Sequence, residues 1–171
     1  MVIALVVGLA AFIGMERLVE LRLSARNRRM TLEAGGREWG QKHYPLMVLL
    51  HTAWFGAWVV ESLWRGPHLD SAWPAWLGLF LLGDLLRYWC IVSLGHRWSA
   101  RILVLPDAPM IRSGPYRLLR HPNYLAVVIV LFAVPMIFGA WITAVVIGVL
   151  NLAFLLLVRI PAEERALRMA R

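Results

Sequence analysis

An all-α, polytopic integral membrane protein of about five transmembrane helices, the last two a tight hairpin, is the fold class this sequence predicts. Three observations carry that reading. Of the 171 residues, 60% are hydrophobic and nine are tryptophan, with a mean hydropathy of +0.65, whereas a soluble domain is nearer half apolar. Several windows reach the roughly 20 mostly apolar residues that cross a hydrocarbon core. The cations, finally, fall in alternate connections. Spans near 2–21, 44–64, 73–94, 122–137 and 140–159 leave six Lys/Arg in 22–43, five in 95–121 and three beyond Arg159, against Arg65 alone in the other connections. Positive connections stay cytoplasmic, so the N-terminus is expected outside and the C-terminus in the cytoplasm. The net charge of +8 is then an orientation signal. The expected partner is a lipid bilayer, not a nucleic acid.

Taken in order, the first stretch has no basic leading segment and no small-residue cleavage pattern before Glu16-Arg17. It reads as a retained span rather than a signal peptide. The fourth and fifth spans come from 34 uncharged residues, 125–158, too many for one crossing and few for two with a loop. Pro135 and Gly139 bracket the expected turn, because proline interrupts a helix and glycine accepts a reversed backbone. Pro122 suits the first turn of the fourth helix, where its missing N–H is no loss. Residues 95–121 form the longest non-spanning piece, and Pro106, Pro109 and Pro115 keep it from being one helix; ordered loops of that length usually carry function. No internal repeat is visible, so 1–171 is read as a single membrane domain. Cys90 is the lone cysteine, which excludes a disulfide framework and a cysteine metal site.

Ionisable residues inside spans are costly and are functional hypotheses by default. Glu16 and Glu20 share a face of the first helix beside Arg17, and the plain reading pairs them with nearby cations such as Arg22. Asp84 and Arg87, three apart in the third span, have the spacing of an ion pair on one helix face. Glu61 with Arg65 reads as an end-of-helix pair. The densest polar stretch is Ser113-Gly114-Pro115-Tyr116-Arg117-Leu118-Leu119-Arg120-His121-Pro122-Asn123-Tyr124, which opens directly onto the long apolar run. A second cluster, Arg159, Glu163 and Glu164, follows the fifth span, with Arg159 and Glu163 on one face and Glu164 turned about 100° away. Pro161 is expected to interrupt the helix there. A helical hairpin returns this end to the face where Arg120 and His121 enter the fourth helix, so the two clusters should meet. No HxxxH or HExxH spacing accompanies the histidines, and no metal site is expected.

These residues carry a resemblance. Gly114-x-Tyr116-x-x-x-Arg120-His121-Pro122-x-Tyr124, followed after a hairpin by Arg159-x-x-x-Glu163-Glu164-x-x-Leu167, resembles the isoprenylcysteine carboxyl methyltransferase family of integral-membrane, S-adenosylmethionine-dependent enzymes. The likeness covers roughly the C-terminal half. The N-terminal half, with Glu16-Arg17-Leu18-Val19-Glu20, His43-Tyr44-Pro45 and Gly95-His96-Arg97-Trp98, looks like a bacterial branch associated with O-methylation of alkylpyrones. The resemblance implies S-adenosylmethionine as cofactor, held by His121 and Tyr124 with Tyr116, Arg120, Asn123 and Glu164. It implies that Arg159 and Glu163 face a lipophilic or prenylated methyl acceptor, and it implies a bacterial inner membrane. One departure stands out: the family usually has glycine where this chain has Ala126.

Chemistry and resemblance agree on what the site must do. Methyl transfer is an in-line displacement whose main demand is positioning. A carboxylate or an acidic enol is already anionic near neutral pH, so no strong base is needed. A permanent cation such as Arg159 would orient it, with Glu163 fixing the guanidinium. Two rivals remain at this point. Membrane sterol reductases using NADPH share Arg-His-Pro-Asn-Tyr, although they continue with glycine and an acidic residue where this chain has Leu125-Ala126-Val127. A non-catalytic membrane scaffold would explain the spans and the charge asymmetry alone.

Overall fold

Residues 1–170 are described by a computed structural model; Arg171, one of the three cations beyond Arg159, lies outside the described residues. The chain runs through helices α1 (Val2–Glu33), α2 (Tyr44–Trp64), α3 (Trp73–Leu94), α4 (Pro122–Ile137), α5 (Trp141–Phe154) and α6 (Ile160–Met169), with a π-helical turn, Leu155–Arg159, joining the last two. Four helical stretches are long and apolar enough to cross a membrane: Val2–Glu33, Gln41–Trp64, Trp73–Arg97 and Trp141–Met169. The fifth, α4, has 16 residues and so extends about 24 Å. Leu5, Val7, Phe12, Leu82, Val92, Val149 and Leu157 are among many large apolar side chains left exposed, as expected where lipid is the solvent. The molecule is an integral membrane protein.

Three local differences from the expected layout have physical causes. Helix α1 continues past residue 21 to Glu33, because 22–33 contains no proline or glycine and its cations are good helix formers. Pro161 does not interrupt the helix: it sits in the first turn of α6, where a missing N–H is tolerated, and the wide turn before it absorbs the strain. The connections 34–43 and 95–121 also meet in a two-stranded antiparallel clasp, β1 (Arg37–Trp39) with β2 (Ile102–Val104), in which Glu38 faces Leu103. Strands of three residues are too short to show an alternating pattern.

The core explains why α4 can be short. It is packed most extensively against α3, and Gly83 lets the two approach: a β-carbon there would meet Ile129 Cγ2 at 2.7 Å. Trp54 of α2 donates to the Leu131 carbonyl at 2.8 Å, and Trp58 stacks on Phe138 with ring centroids 5.9 Å apart. At this end of the molecule the α4–α5 turn is made by Gly139 at φ 68°, while Pro135 lies within α4 itself. Glu61 is more than an end-of-helix partner for Arg65. Its carboxylate accepts from the backbone N–H of Ile142 and of Thr143 at 3.0 and 2.7 Å and from the Thr143 hydroxyl at 2.6 Å. It caps the N-terminus of a neighbouring helix, where a negative charge is favoured.

The intramembrane charges pair across helices as well as along them. Arg87 forms two hydrogen bonds to Glu20, at 2.5 and 2.6 Å, and not to Asp84. Arg17, not Arg22, completes the Glu20 pair at 2.6 Å. Tyr88 donates to Glu16 at 2.6 Å. A carboxylate inside a hydrocarbon core has no water to turn to, and these contacts supply the alternative.

Candidate active site

The N-terminus of α4 is built by the proline-rich segment before it. Gly114 adopts φ 55°, and a β-carbon on it would collide with Ser93 Oγ, so the backbone itself presses on α3. That contact seats the turn Gly114–Arg117 and brings the Tyr116 hydroxyl beside Cys90. Burial, then the Cys90 thiol, push the Tyr116 hydroxyl well above the usual phenol range, so it remains a donor. His121 immediately precedes Pro122, the first residue of α4, and its ring stacks on Tyr124 at 5.6 Å with 22° between planes.

The other wall comes from the last span. Arg159 is only 3% exposed. Its Nη2 donates to the Ala100 carbonyl at 2.6 Å and its Nε to the Tyr124 hydroxyl at 3.2 Å. Its Nη1 is buried without a hydrogen-bond partner. The Tyr124 hydroxyl in turn donates to Glu163. His121 bridges to both acids: Nδ1 lies 3.8 Å from Glu163 and Nε2 lies 3.4 Å from Glu164. The two polar clusters therefore meet, as the hairpin required. One expected contact is different. Glu163 reaches Arg159 through Tyr124, not directly: the Tyr124 hydroxyl stands between them, accepting from Arg159 and donating to Glu163.

These groups form one end of a cavity of about 740 Å³, in the size range of small-molecule sites. Tyr116, Arg120, His121, Asn123, Tyr124, Arg159 and Glu163 all line it; Ile13, Phe55, Val130 and Leu131 line its apolar part. Glu164 is not in that wall and lies behind His121, half exposed. Asn123 contributes a buried Oδ1 without a hydrogen-bond partner. The Ala100 carbonyl is a site group that sequence reasoning missed, since a backbone acceptor leaves no trace in residue type. The segment that runs from it into β2 is held by Glu38. That carboxylate accepts from Arg28 at 2.7 Å and Arg101 at 2.5 Å, and Arg101 lies over the Tyr44 ring at 3.9 Å. Burial works to raise the Glu38 carboxyl, but the Arg101 and Arg28 hydrogen bonds outweigh it and hold it below the usual carboxylate range.

Comparison with known proteins bears on the same elements. The uncharacterized protein YpbQ of Bacillus subtilis (strain 168) is 32% identical over 160 residues, covering 94% of this chain and 95% of its own length. An uncharacterized protein of Haemophilus influenzae (strain ATCC 51907 / DSM 11121 / KW20 / Rd) is 26% identical over 152 residues, 88% of each chain. No solved structure matches the chain. Residues 76–169, which contain both polar clusters and the hairpin between them, match the isoprenylcysteine carboxyl methyltransferase (ICMT) family. With more than half of its length matched, the chain belongs to that family of membrane methyltransferases.

Proposed function

We propose that this protein is an S-adenosylmethionine-dependent O-methyltransferase that acts on an acidic oxygen, a carboxylate or an enol or phenol, of a lipophilic acceptor such as an alkylpyrone or an isoprenylcysteine. The observation that carries the proposal is the buried Arg159, whose Nη1 has no partner in the wall of a cavity that is polar at one end and apolar at the other. A buried cation with an unspent donor is costly unless an anion completes it. An acceptor oxygenate meets that need while its hydrocarbon part occupies the apolar end.

The residues present suit the cofactor. S-adenosylmethionine offers an ammonium and a carboxylate, hydroxyls, an amino-purine and a positively charged sulfur. Against these the cavity end sets the Arg120 cation, the free Asn123 Oδ1, the Tyr116 hydroxyl, the His121 and Tyr124 rings and the carboxylate of Glu163. Glu164 would join them by way of His121. When bound, the cofactor supplies a methyl group on a sulfonium, which needs an oriented nucleophile and exclusion of water more than a base. Arg159 would hold the acceptor oxygen in its deprotonated form. Tyr124 and the Ala100 carbonyl would fix the guanidinium plane, and Glu163 would fix Tyr124. The gathering of both basic connections and α6 at one end supports a cytoplasmic face for the site, hence the N-terminus outside, in a bacterial inner membrane.

The test is transfer of a labelled methyl group from S-adenosylmethionine to lipid extract or to candidate acceptors by the detergent-solubilised protein. Incorporation should depend on His121, dropping at least about 100-fold in His121→Ala while helical content is unchanged. Titration with S-adenosylhomocysteine and with NADPH separates this reading from a reductase. Binding of NADPH alone would overturn it.

A further inference from the structure

The apolar end of the cavity has a floor, and three helices locate it. Gly14 of α1, Phe55 of α2 and Val130 of α4 line the cavity. One turn further along each helix, Ala10, Val59 and Val134 belong to the packed core instead. The floor is stiff. Trp54 is held by its bond to the Leu131 carbonyl at 2.8 Å, and the Phe55 ring meets Trp58 edge-on with centroids 6.2 Å apart. Its depth follows from the helix. Ser24 of α1 accepts from the Ala100 N–H at 3.0 Å, and the Ala100 carbonyl holds Arg159, so Ser24 is level with the transfer centre. Gly14 lies about 15 Å further along the same helix.

Helix packing does not require a glycine at 14. A β-carbon there would meet Phe55 Cζ at 3.8 Å, an ordinary contact, whereas at Gly83 it would meet Ile129 Cγ2 at 2.7 Å. Glycine inside a helix is destabilising relative to alanine. What the missing side chain provides is room, at the cavity floor and opposite the edge of an aromatic ring. The charged residues on the α1–α3 side of the cavity answer to one another. Arg17 and Arg87 bond to Glu20, and Glu16 and Asp84 act on the same arginines. Val48, Phe55, Val127 and Leu131 of α2 and α4 carry an apolar path along the other side. Leu21 and Val48 line the cavity and are also exposed, so the wall between α1 and α2 opens towards lipid. A tail that enters there runs either back out into the bilayer or down to the floor. The recess favours the second course, because apolar walls that nothing fills forfeit dispersion contacts.

We propose that Gly14 and Phe55 form the end stop of a recess that measures the acceptor's hydrocarbon tail, admitting tails that reach about 15 Å from the transfer centre and rejecting longer ones. The proposal deepens the methyltransferase reading and rests on it for the acceptor's reactive oxygen at Arg159.

The experiment sets hydroxypyrones bearing straight alkyl tails of graded length in competition for the full-length protein in detergent micelles, without methyl donor. Native mass spectrometry reads which of them stay bound. At equal mole fraction, tails up to about 15 Å should be retained, and longer ones should lose about tenfold or more in relative occupancy. Gly14→Leu should move that cut-off down by about the four carbons that leucine brings, and Phe55→Ala should move it up. Opposite shifts in the two variants separate a measuring role from a general loss of fold. A wild-type profile without a cut-off, the result if tails run out into lipid, would overturn the proposal. So would a cut-off unmoved in both variants, or no binding at any length. A cut-off that moves as stated, with no methyl transfer to any of these pyrones, would instead count against the reading of the Arg159 end and leave the recess standing.

Discussion

The two ends of this molecule bury charge in opposite ways. At the α4–α5 turn, the Glu61 carboxylate receives two backbone N–H groups and a hydroxyl, and Trp58 and Phe138 stack beside them. At the other end, Arg159 is equally buried but keeps an unspent donor, and Asn123 keeps an unspent acceptor. A saturated buried charge acts on the fold alone. An unsaturated one facing a cavity leaves free energy for a ligand to recover. The difference separates the framework of the protein from its working part more sharply than exposure does.

The largest expected effect tests the unsaturated end. Arg159→Met should lower kcat/KM for methyl transfer by about 10²–10³-fold, the usual cost of losing an oriented donor to a reacting oxyanion, with little change in resistance to unfolding by SDS. A variant that keeps normal turnover would show that Arg159 does not hold the acceptor. Glu61→Ala should do the reverse: a loss of about 2–3 kcal/mol in the same unfolding titration, with turnover per folded molecule retained. Were it to unfold as wild type does, the cap at α5 would be ornamental.

Smaller effects sharpen the contrast. Glu38 lies at the working end yet is saturated, by Arg28 and Arg101. Its folded-state carboxyl lies below the usual range, so its contribution is fully present above the unfolded value near 4.5 and is lost as pH falls through the lower folded value. Melting followed between pH 3 and 6 should show stability declining towards the acid end, a decline absent in Glu38→Gln; parallel curves would dismiss the clasp as a source of stability. Least of all, Ala126→Gly, which restores the residue common in the family, should cost about 1 kcal/mol or less. Ala126 is fully buried within α4, and an unchanged midpoint would mean that the helix relaxes around it.

Much of this was legible in residue order. Long uncharged runs, Pro122 at a helix start and the glycine at 139 have one structural use each, so the spans and the hairpin followed from them. The meeting of His121 with Glu163 and Glu164 was forced by the hairpin and did not depend on side-chain detail. What escaped prediction depends on partners distant in sequence. Nothing in the spacing of Asp84 and Arg87 says that Arg87 will turn to Glu20, because a neighbouring helix presents a better fork. Glu61 looks like the partner of Arg65 until α5 is placed beside it. The clasp of Arg37–Trp39 with Ile102–Val104 is too short to announce itself, and the wide turn Leu155–Arg159 has no compositional mark except Pro161 downstream.

That wide turn has a consequence for how such a protein can vary. An added residue in one helical turn offsets everything beyond it by close to a third of a revolution. In the last span it uncouples two stripes: the one before the turn answers to lipid, to α4 and to α2, while the one after it answers to the polar end of the cavity. Either stripe is then free to drift without dragging the other out of phase. Deleting one residue from 155–159 should cancel the offset and rotate both acids away from His121, leaving a protein that inserts normally and transfers nothing.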